Sequence, residues 1–388
     1  MTEGNDLRKQ NTGMAGKVIL MFPGQGSQSI GMGAEFLNEN IEYSKYFEIA
    51  SDAFGEDILD IVNNKGGSGE LLDQTQYSQI AIYSLSCALN DYLFKQKGFE
   101  KSSVKTVVGH SLGDYSALYS CGAFNFRQGA ELVSFRGKLM ADFANGGKVK
   151  GRIIPDVLNN IISENDKSPE IKSLSGIEST RVLKTNFAIP ENTVNPLKKM
   201  MMAAVLGLDY ETISNVLKAF SRNVFIANYN DYSQIVISGM EEDVLKAGEE
   251  LKSRGAKRIV PLKVSIASHC PLMKEVSLSL ENYISAKFPG FPDLGINFFS
   301  STGLSYIGKN QITKTLVNQL ISPVRWVNAI EELLTKEITV FIEVGPGKVL
   351  SGLIKRIASK LGREDITIFS MDSLSDINNL KSYLGVSV

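Results

Sequence analysis

Histidine is nearly missing from this chain: His110 and His269 are the only two in 388 residues. A reaction that uses imidazole as a base therefore has two candidates. Cysteine is almost as scarce. Cys87, Cys121 and Cys270 are odd in number and far apart, which argues against a disulfide framework or a zinc knuckle and fits a reducing compartment. Charge of one sign is lacking too. The 41 Lys and Arg against 42 Asp and Glu leave a formal net charge of -1, so no nucleic-acid partner is expected. No segment reaches the roughly 20 apolar residues of a spanning helix, so no membrane role is expected either. The opening MTEGNDLRKQNTGMAGK has no apolar core of a secretory signal. Residues 1–17 read as a flexible tail, with a shortened organellar presequence as the alternative. The expected location is the cytoplasm, or an organellar stroma or matrix if a presequence was removed. EVGPGKVL lacks the lysine and hydroxyl spacing of a P-loop, which argues against a nucleoside triphosphatase.

What is present is an ordinary globular composition, 43% hydrophobic and 21% charged, on a chain long enough for two domains. KVILMFPGQGSQ reads as a buried strand ending at Phe22, broken by Pro23 and Gly24. Helical patterns follow from about Ile30 to Phe54 and over QYSQIAIYSLSCALNDYLFKQKG. VKTVVG is a second strand, and DYSALYSCGA and FRQGAELVSFRGKLMADFA are helices. Strand alternating with helix predicts a parallel sheet covered on both faces. After Gly146 the sequence turns rich in Asn, Ser, Lys, Glu and Pro and loses any period, which marks a polar insertion over 145–199. From Met201 the order strand, helix, strand, strand, helix, strand is that of a ferredoxin-like unit. Strand and helix patterns of the first kind then resume, through GINFFSST, ITVFIEVGPG and ITIFSM. The expected fold is α/β: a large α/β-hydrolase-like domain with a parallel sheet core (18–144 and 265–388) and an inserted ferredoxin-like small domain (200–264).

VVGHSLGDYSALYSCG carries the chemistry. Ser111 lies between Gly109 and Gly113, after a strand and before a helix, as a nucleophile elbow requires. The turn is too tight for side chains at the glycines, and the helix N-terminus sets backbone amides beside the serine oxygen, where negative charge develops in acyl transfer. A serine hydroxyl needs a base. His110 belongs to the elbow and points away from its exposed face, which leaves His269 in KVSIASHCPLM as the default base; a buried structural histidine is the alternative. Arg136 sits among apolar neighbours on a helix and needs a partner.

FPGQGSQ, GHSLGDYSAL, FRGKLM, NYNDYSQIVISG, SHCPLM, SPVRW and EVGPGKVLSGLIKR, in this order from Lys17 onward, resemble the malonyl-CoA:acyl-carrier-protein transacylase family of fatty acid synthesis. Acyltransferase domains of polyketide synthases share much of this set. The resemblance implies that Ser111 is the nucleophile and His269 the base, oriented by a backbone carbonyl near Val324 and Arg325. It implies that the Gln25 side-chain amide and the Leu112 backbone amide hold the oxyanion, and that Arg136 grips the free carboxylate of malonate; a structural salt bridge is the alternative for Arg136. Gln79, followed by Ile80 where the family often has proline, is implied as a polar residue of the pocket. Asn228 and Asn230 are implied near the active site, with Tyr232 in place of the usual proline.

The implied reaction is ping-pong transfer of malonyl from malonyl-CoA to the phosphopantetheine thiol of acyl carrier protein, with no bound cofactor and no metal, by a monomer. Lys348, Lys355, Arg356, Lys360 and Arg363 form a basic C-terminal stretch, either a docking patch for the carrier or the phosphates of coenzyme A, or a solvated helix face. The 145–198 excursion is expected to be dispensable for acylation, either with an influence on carrier-protein docking or as a solvent-exposed insertion with no role. Rival readings are a serine hydrolase, whose acid should lie between serine and histidine in the chain, a trans-acting polyketide-type acyltransferase, and a silent scaffold.

Overall fold

A computed structural model describes residues 17–385 apart from 68–69, 98, 147–198, 221–222, 265 and 336. Residues 1–16 of the expected tail and 147–198 of the polar insertion lie outside the described residues. Lys17, expected in the tail, is described, and its carbonyl accepts from the Thr339 amide at 3.2 Å. Strand β1 (Val18–Phe22) is buried at every position, as the unbroken apolar run VILMF suggests. It pairs in parallel with β2 (Val104–Gly109) on one side and β9 (Val340–Glu343) on the other. With β7 (Phe298–Ser300), β8 (Ser305–Ile307) and β10 (Thr367–Ser370) it forms a six-stranded sheet of order β10-β9-β1-β2-β7-β8. Only β8 runs antiparallel, closing the edge beside β7. Alternate residues of β1 feed two cores. Val18, Leu20 and Phe22 pack with the Thr75–Lys95 and Phe126–Ala144 helices, and Ile19 and Met21 pack with Trp326, Ile330 and Leu353.

The second sheet holds β3 (Met200–Leu206), β4 (Val224–Asp231), β5 (Gln234–Met240) and β6 (Arg258–Pro261) in the order β4-β5-β3-β6, with every pairing antiparallel. The Tyr210–Leu217 and Glu241–Ser253 helices cover one face through Ala203, Val205, Ile235, Ile237 and Leu251. The opposite face carries Met202, Ala204 and Val236 and looks onto the cavity described below.

The Ile30–Phe54 helix of the sequence reading is two helices, Ala34–Glu39 and Lys45–Phe54, with a short 3-10 turn between them. Gly31 and Gly33 take left-handed φ values of 75° and 76° and delay the start. Asn40 ends the first helix, its side-chain amide donating to the Phe36 carbonyl at 2.9 Å. The sequence reading misses β8 and the Ile58–Val62 and Leu374–Tyr383 helices. β8 has too few residues to show a period. The two short helices are fixed by their caps, Asp57 accepting from the Asp60 amide and Ser373 with Asp376 forming a capping box.

Candidate active site

Steric contacts at two glycines define the elbow. A Cβ at Gly109 would lie 2.1 Å from the Asp114 amide nitrogen, and one at Gly113 would lie 1.9 Å from the Phe22 carbonyl oxygen. Between them Ser111 adopts φ 54°, a left-handed conformation that is strained for a residue with a side chain. His269 shares that strain with φ 63° and is 3% exposed. The two side chains meet: Ser111 Oγ lies 2.8 Å from His269 Nε2. His269 Nδ1 lies 2.7 Å from the Gln319 backbone carbonyl. A carbonyl only accepts, so Nδ1 carries the proton and Nε2 is left to accept from the serine. Burial lowers the His269 pKa to about 3, against the opposing carbonyl hydrogen bond and with some help from the Arg136 charge. The resting imidazole is therefore neutral.

The carbonyl that orients His269 belongs to Gln319, not to Val324 or Arg325. The Val324 carbonyl accepts from the Tyr229 amide at 2.8 Å, and the Arg325 carbonyl accepts from the Ala329 amide at 2.9 Å. Gln319 lies in the last turn of the Ile312–Ile321 helix, and the residue four positions on is Pro323, which has no N–H to close an α-helical bond. Proline thus frees the carbonyl that the histidine uses.

Gln25 also departs from the expectation. Its side-chain amide donates to Thr75 Oγ1 at 2.6 Å and Ser78 Oγ at 3.0 Å, so it is tied to the Thr75–Lys95 helix and not aimed at an oxyanion. The backbone N–H groups of Gln25 and Leu112 make no hydrogen bond among the described residues.

Arg136 is 1% exposed and has no carboxylate within ion-pairing distance among the described residues. It donates from Nη1 to Gln79 Oε1 and from Nη2 to Gln319 Oε1 at 3.4 Å, and its guanidinium lies 5.4 Å from the Tyr115 ring centroid. Its Nε has no partner among the described residues. Gln79 is fully buried inside a continuous helix that includes Ile80, and it supports Arg136 without lining the cavity. Gln319, which the sequence reading passed over, is the hub. Its Nε2 donates to the Ser111 carbonyl at 2.8 Å and to Asp114 Oδ2.

A cavity of about 280 Å³ opens over Ser111 and His269, lined also by Gln25, Asn228 and Asn230 among others; Arg136 and Gln319, like Gln79, are not among its lining residues. Asn230 Oδ1 accepts from His110 Nε2 at 2.9 Å, so the second imidazole is engaged by Asn230, and its ring lies 5.4 Å from that of Trp326. Asn228 forms a parallel bridge with Val324 and so joins the two sheets' layers. The basic C-terminal stretch is largely neutralised. Lys348 pairs with Asp376 at 2.8 Å, Arg356 with Asp231 at 2.6 Å and Arg363 with Asp365 at 2.6 Å.

Comparison with known proteins gives a consistent picture. The acyl transferase domain family matches residues 19–167. The chain is 32% identical over 375 residues to a malonyl CoA-acyl carrier protein transacylase of Haemophilus influenzae, covering 95% of this chain and 99% of the relative. It is 31% identical over 349 residues to the protein of that name from Bacillus subtilis, covering 89% and 92%. Among solved structures, an acyl carrier protein S-malonyltransferase from Vibrio cholerae superposes with a TM-score of 0.73 at 29% identity, covering 94% of this chain and all of that one. A malonyl-transacylase in complex with a type II PKS acyl-carrier protein gives the same TM-score at 28% identity, covering 94% and 98%.

Proposed function

Since the chain belongs to the malonyl CoA-acyl carrier protein transacylase family, we propose that it moves a malonyl group from malonyl-CoA to the phosphopantetheine thiol of an acyl carrier protein through an ester on Ser111. The observation that carries the substrate assignment is Arg136, a buried guanidinium without a carboxylate partner among the described residues, joined to Ser111 through Gln319. Its planar fork suits a carboxylate better than a lysine would.

Ser111 Oγ attacks the thioester carbon while its proton passes to His269 Nε2. The unpaired backbone amides of Leu112 and Gln25 hold the oxyanion, in place of the Gln25 side chain. The C–S bond breaks, coenzyme A leaves with the proton from His269, and the malonyl ester remains. The carrier's thiol then gives its proton to Nε2 and attacks the ester; the C–O bond breaks and Ser111 recovers its hydrogen. The carboxylate of a hydrolase triad has no counterpart here, because Nδ1 faces a carbonyl. Chain elongation in fatty acid synthesis is the proposed use of the product, and the cytoplasm, which suits the three free thiols, the proposed place.

Intact mass after mixing with malonyl-CoA tests this reading. One malonyl unit is expected on the peptide holding GHSLGDY, none in Ser111→Ala, and discharge of the ester on adding a carrier protein bearing its phosphopantetheine arm. An adduct on Cys270 or Cys121, or release of malonate to water in preference to the carrier, would replace this reading with another.

A further inference from the structure

Asp114 takes no part in the transfer just described, yet it abuts the residues that do. It is the third residue after Ser111, lies in the first turn of the Gly113–Ser120 helix and has no exposed surface. A carboxyl buried this way needs partners. Its Oδ2 accepts from Gln319 Nε2, and its Oδ1 has no hydrogen-bond partner among the described residues. The Gln319 amide also donates to the Ser111 carbonyl at 2.8 Å, while its oxygen accepts from Arg136 Nη2 at 3.4 Å. An amide has one donor end and one acceptor end. Only one of its two orientations turns N–H groups to both oxygens and the oxygen to the guanidinium. The flipped orientation sets Oε1 against two oxygens and the amino group against a cation.

We propose that Asp114 is a positioning residue for malonyl transfer: by accepting from Gln319 it fixes the orientation of that amide, and the amide aims Arg136 at the carboxylate of the acyl group. The proposal rests on the reading of Arg136 as the partner of that carboxylate. The groups that face Asp114 are Gln319 from the Ile312–Ile321 helix, Arg136 from the Phe126–Ala144 helix and Tyr115 from its own helix. Burial pushes the Asp114 carboxyl up to about 8, against the Gln319 hydrogen bond and the Arg136 charge. At neutral pH it is largely an uncharged acid, which leaves the Arg136 charge for the substrate. In more alkaline solution the ionised carboxyl sets a negative charge near the same guanidinium, beyond ion-pairing distance, and weakens its pull on the substrate carboxylate.

The test compares kcat/KM for malonyl-CoA and acetyl-CoA in the full chain, with carrier protein as acceptor, for Asp114→Ala, Asp114→Asn and, as reference, Arg136→Ala. In Asp114→Ala the malonyl value falls about ten- to a hundredfold, mainly through KM, while the acetyl value stays within about threefold. Asp114→Asn still accepts through its amide oxygen and keeps the malonyl preference at neutral pH. It also lacks the rise in malonyl KM that the natural chain shows as Asp114 ionises. Thermal unfolding reports whether Asp114→Ala folds, and if it does not, the pH profile of Asp114→Asn decides. Equal losses for both substrates in a folded Asp114→Ala, or an Asp114→Asn pH profile identical to that of the natural chain, would overturn the proposal. An unchanged malonyl-to-acetyl ratio in Arg136→Ala marks failure of the underlying reading, and the proposal falls with it.

Discussion

Burial draws the pKa of His269 down to about 3 from an ordinary 6.5, even though its Nδ1–H is held by a carbonyl. Two consequences follow at this residue. Acylation of Ser111 should stay nearly flat as pH falls through the usual imidazole range, because the base remains neutral there; a rate of malonyl-serine formation that halves near an ordinary imidazole pKa would contradict this. Stability should behave differently. Between about 3 and 6.5 the unfolded chain holds more protons at this position than the folded one, so the stability present above that window drains as pH falls through it. Asp114, raised from 3.8 to about 8, works in the opposite sense and lowers stability as pH rises through its own window. Replacing His269 with Asn should therefore reduce the slope of unfolding free energy against pH in mild acid by up to about 1.4 kcal/mol per pH unit. Denaturant melts at several pH values measure it. Arg136→Ala belongs to the same scale. It should depress kcat/KM for malonyl-CoA by about 3 kcal/mol of transition-state binding and that for acetyl-CoA far less. Equal losses would make Arg136 a structural residue.

The elements explain what was legible in the sequence. The Gly109–Gly113 elbow is a local steric demand, met within five residues, and so the nucleophile could be read directly. His269 could be named because only His110 competes with it, and His110 is bound to Asn230. The alternating strands and helices of the six-stranded sheet and the chain order of strands and helices in the smaller unit were legible from periodicity. The carbonyl partner of His269 was not, because any residue's backbone supplies one and the contact spans 50 positions. The only sequence signal was Pro323, four residues after Gln319, at the place where the helix would otherwise have used that carbonyl. The Gln25 side chain misled for a related reason: its backbone amide and its side-chain amide carry the same letter but serve different partners. Pro323→Ala tests the element-level account. The new N–H can bond the Gln319 carbonyl and compete with His269 Nδ1, so acylation should slow by about tenfold while thermal stability changes by less than about 1 kcal/mol. A rate equal to that of the natural chain would show that the histidine does not depend on the freed carbonyl.

Across the whole molecule, the cavity exists only because the four-stranded sheet is seated on the layer that holds Ser111. Strand β4 is stitched down by main-chain bonds, Val324 N–H to the Ala227 carbonyl at 2.9 Å and Tyr229 N–H to the Val324 carbonyl at 2.8 Å. The tip of the β4–β5 hairpin adds three side-chain hydrogen bonds. Tyr232 donates to Glu331 at 2.7 Å, and Arg356 of the Val349–Lys360 helix donates to Asp231 at 2.6 Å and to Gln234 at 3.1 Å. The same hairpin carries Asn228, Asn230 and Gln234 into the cavity wall, so its seating sets where an acyl-CoA arm can lie. The ion pair is asymmetric: the Asp231 side chain is 3% exposed and that of Arg356 52%. Removing the arginine leaves a buried carboxylate supported, among the described residues, only by the Ser233 amide and hydroxyl at 2.8 and 3.2 Å, which costs more than exposing a free arginine would. Arg356→Ala should therefore lower stability by about 1–3 kcal/mol, a value discounted for the half-exposed partner. It should also raise KM for malonyl-CoA several-fold with little change in kcat, because the hairpin shifts while Ser111, His269 and Gln319 do not. Urea unfolding and steady-state kinetics on one preparation read both effects. Loss of stability with an unchanged KM would mean that the main-chain stitches alone hold the cavity wall, and a fall in kcat without a change in KM would place Arg356 in the path of the chemistry.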